Sequence, residues 1–141
     1  MNAPPSAPDR FSARFWYLVG LSRTSGDEFR TELARLSKDE LGRLYWTYVA
    51  AMGDFRQEPY ETLFESHLSD DAIDTVTKWI VARGREYYDT ILEVPELMPR
   101  LADVEQLPKG DVPDPLVEIL KVYRELHGGS PEFPENDEYL F

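Results

Sequence analysis

Apolar residues recur at spacings of three and four along most of the chain, which is the pattern of amphipathic α-helices. The clearest stripe runs through Leu41, Leu44, Tyr45, Tyr48 and Met52. Alternation of apolar and polar residues, the mark of a half-buried strand, is nearly absent, and no Asn-Gly or Asp-Gly hairpin turn occurs. The pattern predicts an all-α protein, a single compact domain of six or seven short helices with flexible termini.

Polar residues that can cap a helix stand just before most of these apolar stripes. The predicted caps are Ser12, Ser37, Ser69 and Asp114, and Ser25, Gly26 and Asp27 are predicted to mark a break and a new helix start. Ser37 and Glu40 have the spacing of a capping box, in which each side chain accepts a hydrogen bond from the other residue's amide. Glycine and proline are predicted to end or bend the helices, at Gly53, Gly84, Pro95, Pro99 and Gly128.

The chain has 141 residues, enough for one domain with short tails. Residues 1–10 are rich in proline and alanine and are predicted to form a disordered leader, residues 11–128 the helical domain, and residues 129–141 an acidic flexible tail. The leader lacks the basic and apolar regions of a secretory signal. Within the domain, a short helical piece is predicted after Pro59, with Leu63 and His67 on one face. Residues 103–115 are predicted to form a loop.

The charge is strongly unbalanced, with 27 acidic and 15 basic residues and a net charge of −12. A surface this acidic repels phosphate groups, so direct binding to nucleic acid or to an anionic membrane is not expected. The chain has no cysteine, which excludes zinc fingers, iron–sulfur clusters and thiol catalysis. No apolar run has membrane-spanning length, and the composition predicts a cytoplasmic protein. Two explanations of the negative charge stay open. It can serve solubility alone, or it can attract a protein partner that has a basic surface.

Several segments together resemble the bacterial family known as domain of unknown function 4240. The segments are Ser69-Asp70-Asp71, Trp79-Ile80-Val81, Gly84-Arg85-Glu86 and Pro95, with Phe15-Trp16, Leu36-Ser37 plus Glu40, and Val122-Tyr123 plus Gly128. The resemblance covers roughly residues 12–128 and implies a helical bacterial domain, without implying an activity. Members of that family tend to carry a stretch rich in tryptophan and glycine before the Ser-Asp-Asp motif, and residues 59–68 of this chain do not.

One cluster stands out as a candidate binding site, around the glycine that interrupts the fourth long helix. Arginine beside aromatic residues is a recurrent recognition surface, because the guanidinium can stack on a ring and grip a carboxylate or phosphate. The alternative is that these arginines only close a helix end and pair with acids on the surface. The candidate binding residues are Asp70, Asp71, Trp79, Arg83, Arg85 and Glu86.

A metal site is not predicted, and neither is a cofactor. Glu65, His67, Asp70 and Asp71 are close in sequence, but residues two apart on a helix point in different directions. The two aspartates are already explained as first-turn charges that favour a helix N-terminus. No glycine-rich phosphate loop and no Gly-x-Ser-x-Gly nucleophile motif occurs, so catalytic residues are not predicted.

The acidic C-terminal end is the other candidate for contact with a partner, through Glu135, Asp137, Glu138 and Phe141. A frayed terminus explains the same residues. Three functional hypotheses follow from the sequence. The first is a non-enzymatic protein-binding regulator, of the kind that immunity proteins exemplify. The second is a small-ligand-binding protein or enzyme with a site near Trp79, Arg83, Arg85 and Glu86. The third is a DNA mimic, whose carboxylates would imitate phosphates.

Overall fold

The computed structural model describes residues 11–64, 68–105, 114–134 and 140–141, and these residues form seven α-helices and no strand. The helices are α1 Ala13–Thr24, α2 Gly26–Arg35, α3 Lys38–Gly53, α4 Asp70–Ala82, α5 Arg85–Glu93, α6 Leu101–Glu105 and α7 Pro115–His127. The prediction of an all-α protein with six or seven helices is confirmed. None of the helices in these ranges is both long and apolar enough to cross a lipid bilayer.

The predicted caps are all observed. The Ser12, Ser25, Ser69 and Asp114 side chains each accept a hydrogen bond from an amide in the first turn of α1, α2, α4 and α7. At the start of α3, the Glu40 amide donates to Ser37 Oγ over 3.1 Å and the Ser37 amide donates to Glu40 Oε1 over 3.0 Å. The starts of these five helices are therefore set by local side-chain chemistry.

Two segments differ from their prediction. After Pro59, the chain forms only a 3₁₀ turn at Glu61–Leu63, and His67 lies outside the described residues. Leu63 is 44% exposed, whereas Tyr60 and Phe64 of the predicted face pack against the core. Residues 103–105 belong to α6 rather than to the predicted loop, and Val104 of that helix is buried. Residues 106–113 of the loop lie outside the described part of the chain.

The core is built around α3, which packs against both α4 and α7, while α1 packs against α2 and α4. Aromatic rings fill the centre, and Phe15, Tyr48, Phe55 and Tyr88 are fully buried. The buried Tyr48 hydroxyl donates to the Lys78 carbonyl over 2.9 Å, which ties α3 to α4. The Tyr88 hydroxyl likewise donates to the buried Asp54 carboxylate, which links α5 to the end of α3. The core thus fixes α5 beside the ends of α3 and α4.

The described residues beyond α7 pack back on α3. Trp46 Nε1 donates to the Glu132 carbonyl over 2.9 Å, and the Phe133 ring meets the Trp46 ring edge-on at 4.9 Å. Phe141 is half-buried, and its amide donates to Thr47 Oγ1 over 2.9 Å. The Arg14 guanidinium lies over the Phe141 ring at 4.8 Å. Both described ends of the predicted tail therefore contact the helical domain.

Candidate functional site

The junction between α4 and α5 is a sharp turn at Gly84. Its φ of +101° lies in the left-handed region that residues with a Cβ atom rarely adopt, and the glycine is buried. The Gly84 amide donates to the Val81 carbonyl over 3.0 Å, which closes the end of α4. The glycine was predicted to interrupt the helix, and the turn it makes brings the start of α5 next to the end of α4.

Arg83 is held between two aromatic rings. Its guanidinium carbon is 5.0 Å from the Trp79 ring centre and 5.0 Å from the Tyr87 ring centre. The two rings meet edge-on, with centres 5.5 Å apart. Burial raises the pKa of the Tyr87 hydroxyl, and the charge of Arg83 offsets part of that rise. Arg83 is exposed, and its cation–π contacts with two rings restrict where its guanidinium lies.

A third helix end reaches the same place and brings Arg23, which the sequence did not single out. Arg23 Nη2 is 3.3 Å from the position that a Cβ atom on Gly84 would occupy. Together these residues border a shallow concavity of about 330 Å³, which we call the arginine concavity. It is lined by Arg23, Arg83, Gly84, Arg85, Glu86, Tyr87 and Thr90. Arg23 and Gly84 are far apart in sequence, so no local pattern could have connected them.

Ion pairing separates these arginines from most others in the protein. At least eight described basic side chains lie within ion-pair distance of a carboxylate, Arg85 among them, with its Nε 3.7 Å from Asp89 Oδ2. Arg23 and Arg83 make no such pair with any described carboxylate, although Glu86 lines the same concavity. Each of the two stands at the C-terminal end of its own helix, where positive charge is favourable.

The amides at the start of α5 are also without partners. No side chain caps this helix, and no described protein group accepts a hydrogen bond from the first-turn amides of Arg85, Glu86 and Tyr87. Five of the other helices start on a capping side chain. The arginine concavity therefore combines guanidinium groups with unsatisfied main-chain donors, and both kinds of group attract anions.

The predicted site residues Asp70 and Asp71 lie elsewhere. They occupy the first turn of α4, whereas Arg83 follows its last residue. At 1.5 Å per residue, α4 separates the two groups by roughly 18 Å. Arg56 donates over 2.9 Å to Asp70 Oδ1 and over 2.9 Å to Asp74 Oδ1. These acids therefore do not belong to the arginine concavity.

A second surface with a distinct character lies at the other end of α5. The Tyr60 hydroxyl donates to the Leu92 carbonyl over 2.7 Å, which joins the Glu61–Leu63 turn to the 3₁₀ turn Pro95–Leu97 that follows α5. Three large apolar side chains on this surface are exposed, Leu63 by 44%, Val94 by 40% and Leu97 by 54%. Residues 58–63 and 93–97 carry four glutamates and no basic residue, with Glu58 and Glu61 in the first stretch and Glu93 and Glu96 in the second. We call this the acid-rimmed surface.

The tail residues Glu135, Asp137 and Glu138 lie outside the described residues, so the structure places only Phe141 of the predicted tail contact. Phe141 is seated against Thr47 and Arg14 of its own domain. Of the metal candidates, Glu65 and His67 are likewise outside the described ranges. Within those ranges, no group of three or more metal-ligating side chains comes together.

Comparisons with models of protein families, with curated proteins and with solved structures found no match to this chain. The resemblance to domain of unknown function 4240 consequently stays a prediction, and the function is argued from the two surfaces alone.

Proposed function

We propose that this protein acts by binding a basic protein partner on its acid-rimmed surface, as a non-enzymatic regulatory or immunity-like module of the cytoplasm. The observation that carries the proposal is the hydrogen bond from the Tyr60 hydroxyl to the Leu92 carbonyl, which joins two short stretches that together hold three exposed large apolar side chains and four glutamates. Exposed apolar patches that polar residues surround are typical of protein interfaces.

The chemistry of the rim determines the partner. Glu58, Glu61, Glu93 and Glu96 have no basic residue among them, and the chain as a whole carries a net charge of −12. A partner segment with apolar residues flanked by lysine or arginine complements both features, because its apolar side chains cover the centre while its cations face the rim. Such charge complementarity chiefly speeds association and excludes acidic competitors.

Of the other hypotheses, DNA mimicry has the least structural support. It requires rows of carboxylates free to imitate phosphates, whereas eight described acids are occupied in ion pairs with basic side chains. They are Glu32, Asp39, Glu40, Asp70, Asp74, Asp89, Asp114 and Glu118. Contact through the C-terminal tail stays a prediction, which charge reversal at Glu135, Asp137 and Glu138 would test.

The deciding experiment compares two lysine substitutions at matched exposure. Tagged wild-type protein is used to capture partners from its native lysate at low and at high salt, and each captured protein is then purified and titrated directly. Leu97→Lys places a cation in the acid-rimmed surface, and Leu126→Lys makes the same change on α7, where Leu126 is 51% exposed against 54% for Leu97.

We expect the purified partner to be basic, to bind wild type less tightly as salt rises, and to bind Leu97→Lys at least about tenfold more weakly, which corresponds to about 1.4 kcal/mol. Leu126→Lys should bind like wild type. If the partner binds wild type and Leu97→Lys with equal affinity, the assignment of this surface is overturned. If the partner is acidic and its affinity does not depend on salt concentration, the proposed chemistry is overturned.

A further inference from the structure

The arginine concavity lies at the opposite end of α5 from the acid-rimmed surface, and its chemistry is the reverse. In a chain with a net charge of −12, carboxylates are abundant, yet Arg23 and Arg83 pair with none that the structure describes. Arg85 completes the group and pairs with Asp89, with 3.7 Å between Arg85 Nε and Asp89 Oδ2. Three arginines thus line one concavity, and two of them pair with no described carboxylate, an arrangement that attracts an anion.

The shape of the concavity indicates the size of that anion. Its floor is Gly84, where a Cβ atom would stand 3.3 Å from Arg23 Nη2, tighter than an ordinary van der Waals contact. The absence of a side chain there makes room for the Arg23 guanidinium, which thereby lies close to the turn that begins α5. The first-turn amides of α5 have no acceptor among the described residues, and such amides attract anions. A volume of about 330 Å³ suits a small molecule rather than a folded partner.

The number of donors favours a phosphoryl group over a carboxylate. A phosphate monoester offers three terminal oxygens to donors arriving from several directions, while a carboxylate offers two in one plane. Glu86 and Thr90 also line the concavity and bring acceptors to its edge. A carboxylate at that position disfavours a second anionic group but accepts hydrogen bonds from hydroxyls.

We propose that the arginine concavity binds a small phosphate ester that carries hydroxyl groups, such as a sugar phosphate. The phosphoryl oxygens lie against Arg23, Arg83 and Arg85, and the hydroxyls face Glu86. Arg83 stays in place by stacking between Trp79 and Tyr87. The inference is independent of the proposed protein partner, because the two surfaces share no side chain.

The test uses three probes on the full chain: ribose 5-phosphate, inorganic phosphate and ribose. Binding is measured by calorimetry and located by the backbone amide shifts of residues 84–87 in solution NMR, at a salt concentration that screens the net charge. We expect ribose 5-phosphate to bind most tightly, inorganic phosphate more weakly, and ribose not detectably, with the largest shifts at residues 84–87.

Two arginine substitutions and one matched control decide the assignment. Arg23→Ala and Arg83→Ala should each raise the Kd for ribose 5-phosphate about tenfold, as the loss of a charge-assisted hydrogen bond does. Arg124→Ala removes one positive charge on α7, where Arg124 contacts Ser130, and should change the Kd less than about twofold. Arg23 is exposed at the end of α1, so Arg23→Ala should keep the fold. It therefore tests the site even if Arg83→Ala unfolds the protein.

If the Kd for ribose 5-phosphate rises equally in all three variants, binding depends only on net charge, and the proposal is overturned. Shifts concentrated away from residues 84–87 would overturn it as well. Equal affinity for inorganic phosphate and ribose 5-phosphate would remove the role given to Glu86. Loss of ribose 5-phosphate binding in Arg23→Ala, with partner binding retained, would separate this site from the acid-rimmed surface.

Discussion

The helices α5 and α7 differ in how their end charges match the helix dipole. In α5, Arg85 is the first residue and Glu86 the second, so the charges of the first turn offset each other, and the last residue is the acid Glu93. In α7, by contrast, Glu118 lies in the first turn and Arg124 and His127 in the last. Acids near a helix N-terminus and bases near its C-terminus each contribute about 0.3–1 kcal/mol, because they complement the helix dipole.

The comparison shows that Arg85 and Glu93 oppose the dipole of α5, whereas Glu86 complements it. Where a residue choice opposes local stability, a functional requirement is the usual reason. Arg85 lines the arginine concavity at one end of α5, and Glu93 belongs to the acid-rimmed surface at the other. Separate substitutions at the two ends of α5 should therefore change the free energy of unfolding and the affinity for the partner in different directions.

The largest expected effect on stability is at the turn that creates the concavity. Gly84→Ala forces a side chain into a φ of +101° and against Arg23, and should lower the free energy of unfolding by about 1–3 kcal/mol. Urea denaturation measures the change. Gly20→Ala is the control, because Gly20 lies inside α1 with nothing within 4 Å of its Cβ position, and it should raise stability by about 0.5–1 kcal/mol. Equal stability of Gly84→Ala and wild type would contradict the strained turn.

The second-largest expected effect is at Glu93, where stability and partner binding should change in opposite directions. Glu93→Lys replaces an acid with a base at the C-terminal end of α5 and should raise the free energy of unfolding by about 0.3–1 kcal/mol. The same variant should bind the basic partner with lower affinity, because it reverses one charge of the acid-rimmed surface. Denaturation at low ionic strength and partner titration give the two values.

Its control is Glu125→Lys, which makes the same charge change in α7, outside the acid-rimmed surface. Partner affinity should stay within about twofold of wild type there. If Glu93→Lys lowers the free energy of unfolding and leaves the affinity for the partner unchanged, both expectations are contradicted.

The smallest effect lies between the two ends, at Asp89. Burial raises the pKa of the Asp89 carboxyl, Arg85 offsets part of the rise and Glu93 adds to it. The folded protein thus favours the protonated form, so the contribution of Asp89 is complete below its ordinary pKa of 3.8 and is lost as pH rises through the raised value. Asp89→Asn stays neutral at every pH.

We therefore expect the stability of Asp89→Asn relative to wild type to increase as pH rises from below 3.8 through the raised pKa of Asp89, by less than about 1 kcal/mol because the group is partly exposed. Denaturation curves for both proteins across that pH range give the difference. A relative stability that decreases with pH would mean that Arg85 stabilises the charged form more than burial disfavours it.

Local signals made most of the helix boundaries predictable. Ser12, Ser37, Ser69 and Asp114 cap the helices that they were predicted to cap, because a cap depends on residues only three positions apart. The helix α6 was missed for the complementary reason. It has five residues and no apolar period of its own, and it packs against α4 through residues that are distant in sequence.

The candidate site was predictable only in part. Trp79, Arg83, Arg85 and Glu86 are close in sequence and lie near one another, because a helix and one glycine turn bring them together. Asp70 and Asp71 were grouped with them on the same sequence evidence, but the length of α4 separates them. Arg23 could not be predicted from the sequence, because its contact with the Gly84 turn depends on how α1 packs against α4.

By itself, the sequence determined the helical class, the helix ends and the acidic character, because hydrophobic period, caps and net charge are properties of neighbouring residues or of simple sums. The tertiary structure alone decided which charges meet. It paired Arg56 with Asp70 and Asp74, left Arg23 and Arg83 side by side without a described acid, and joined two exposed turns through Tyr60 and Leu92. Contacts between residues far apart in the chain depend on the packing of whole helices, and no local pattern encodes that packing.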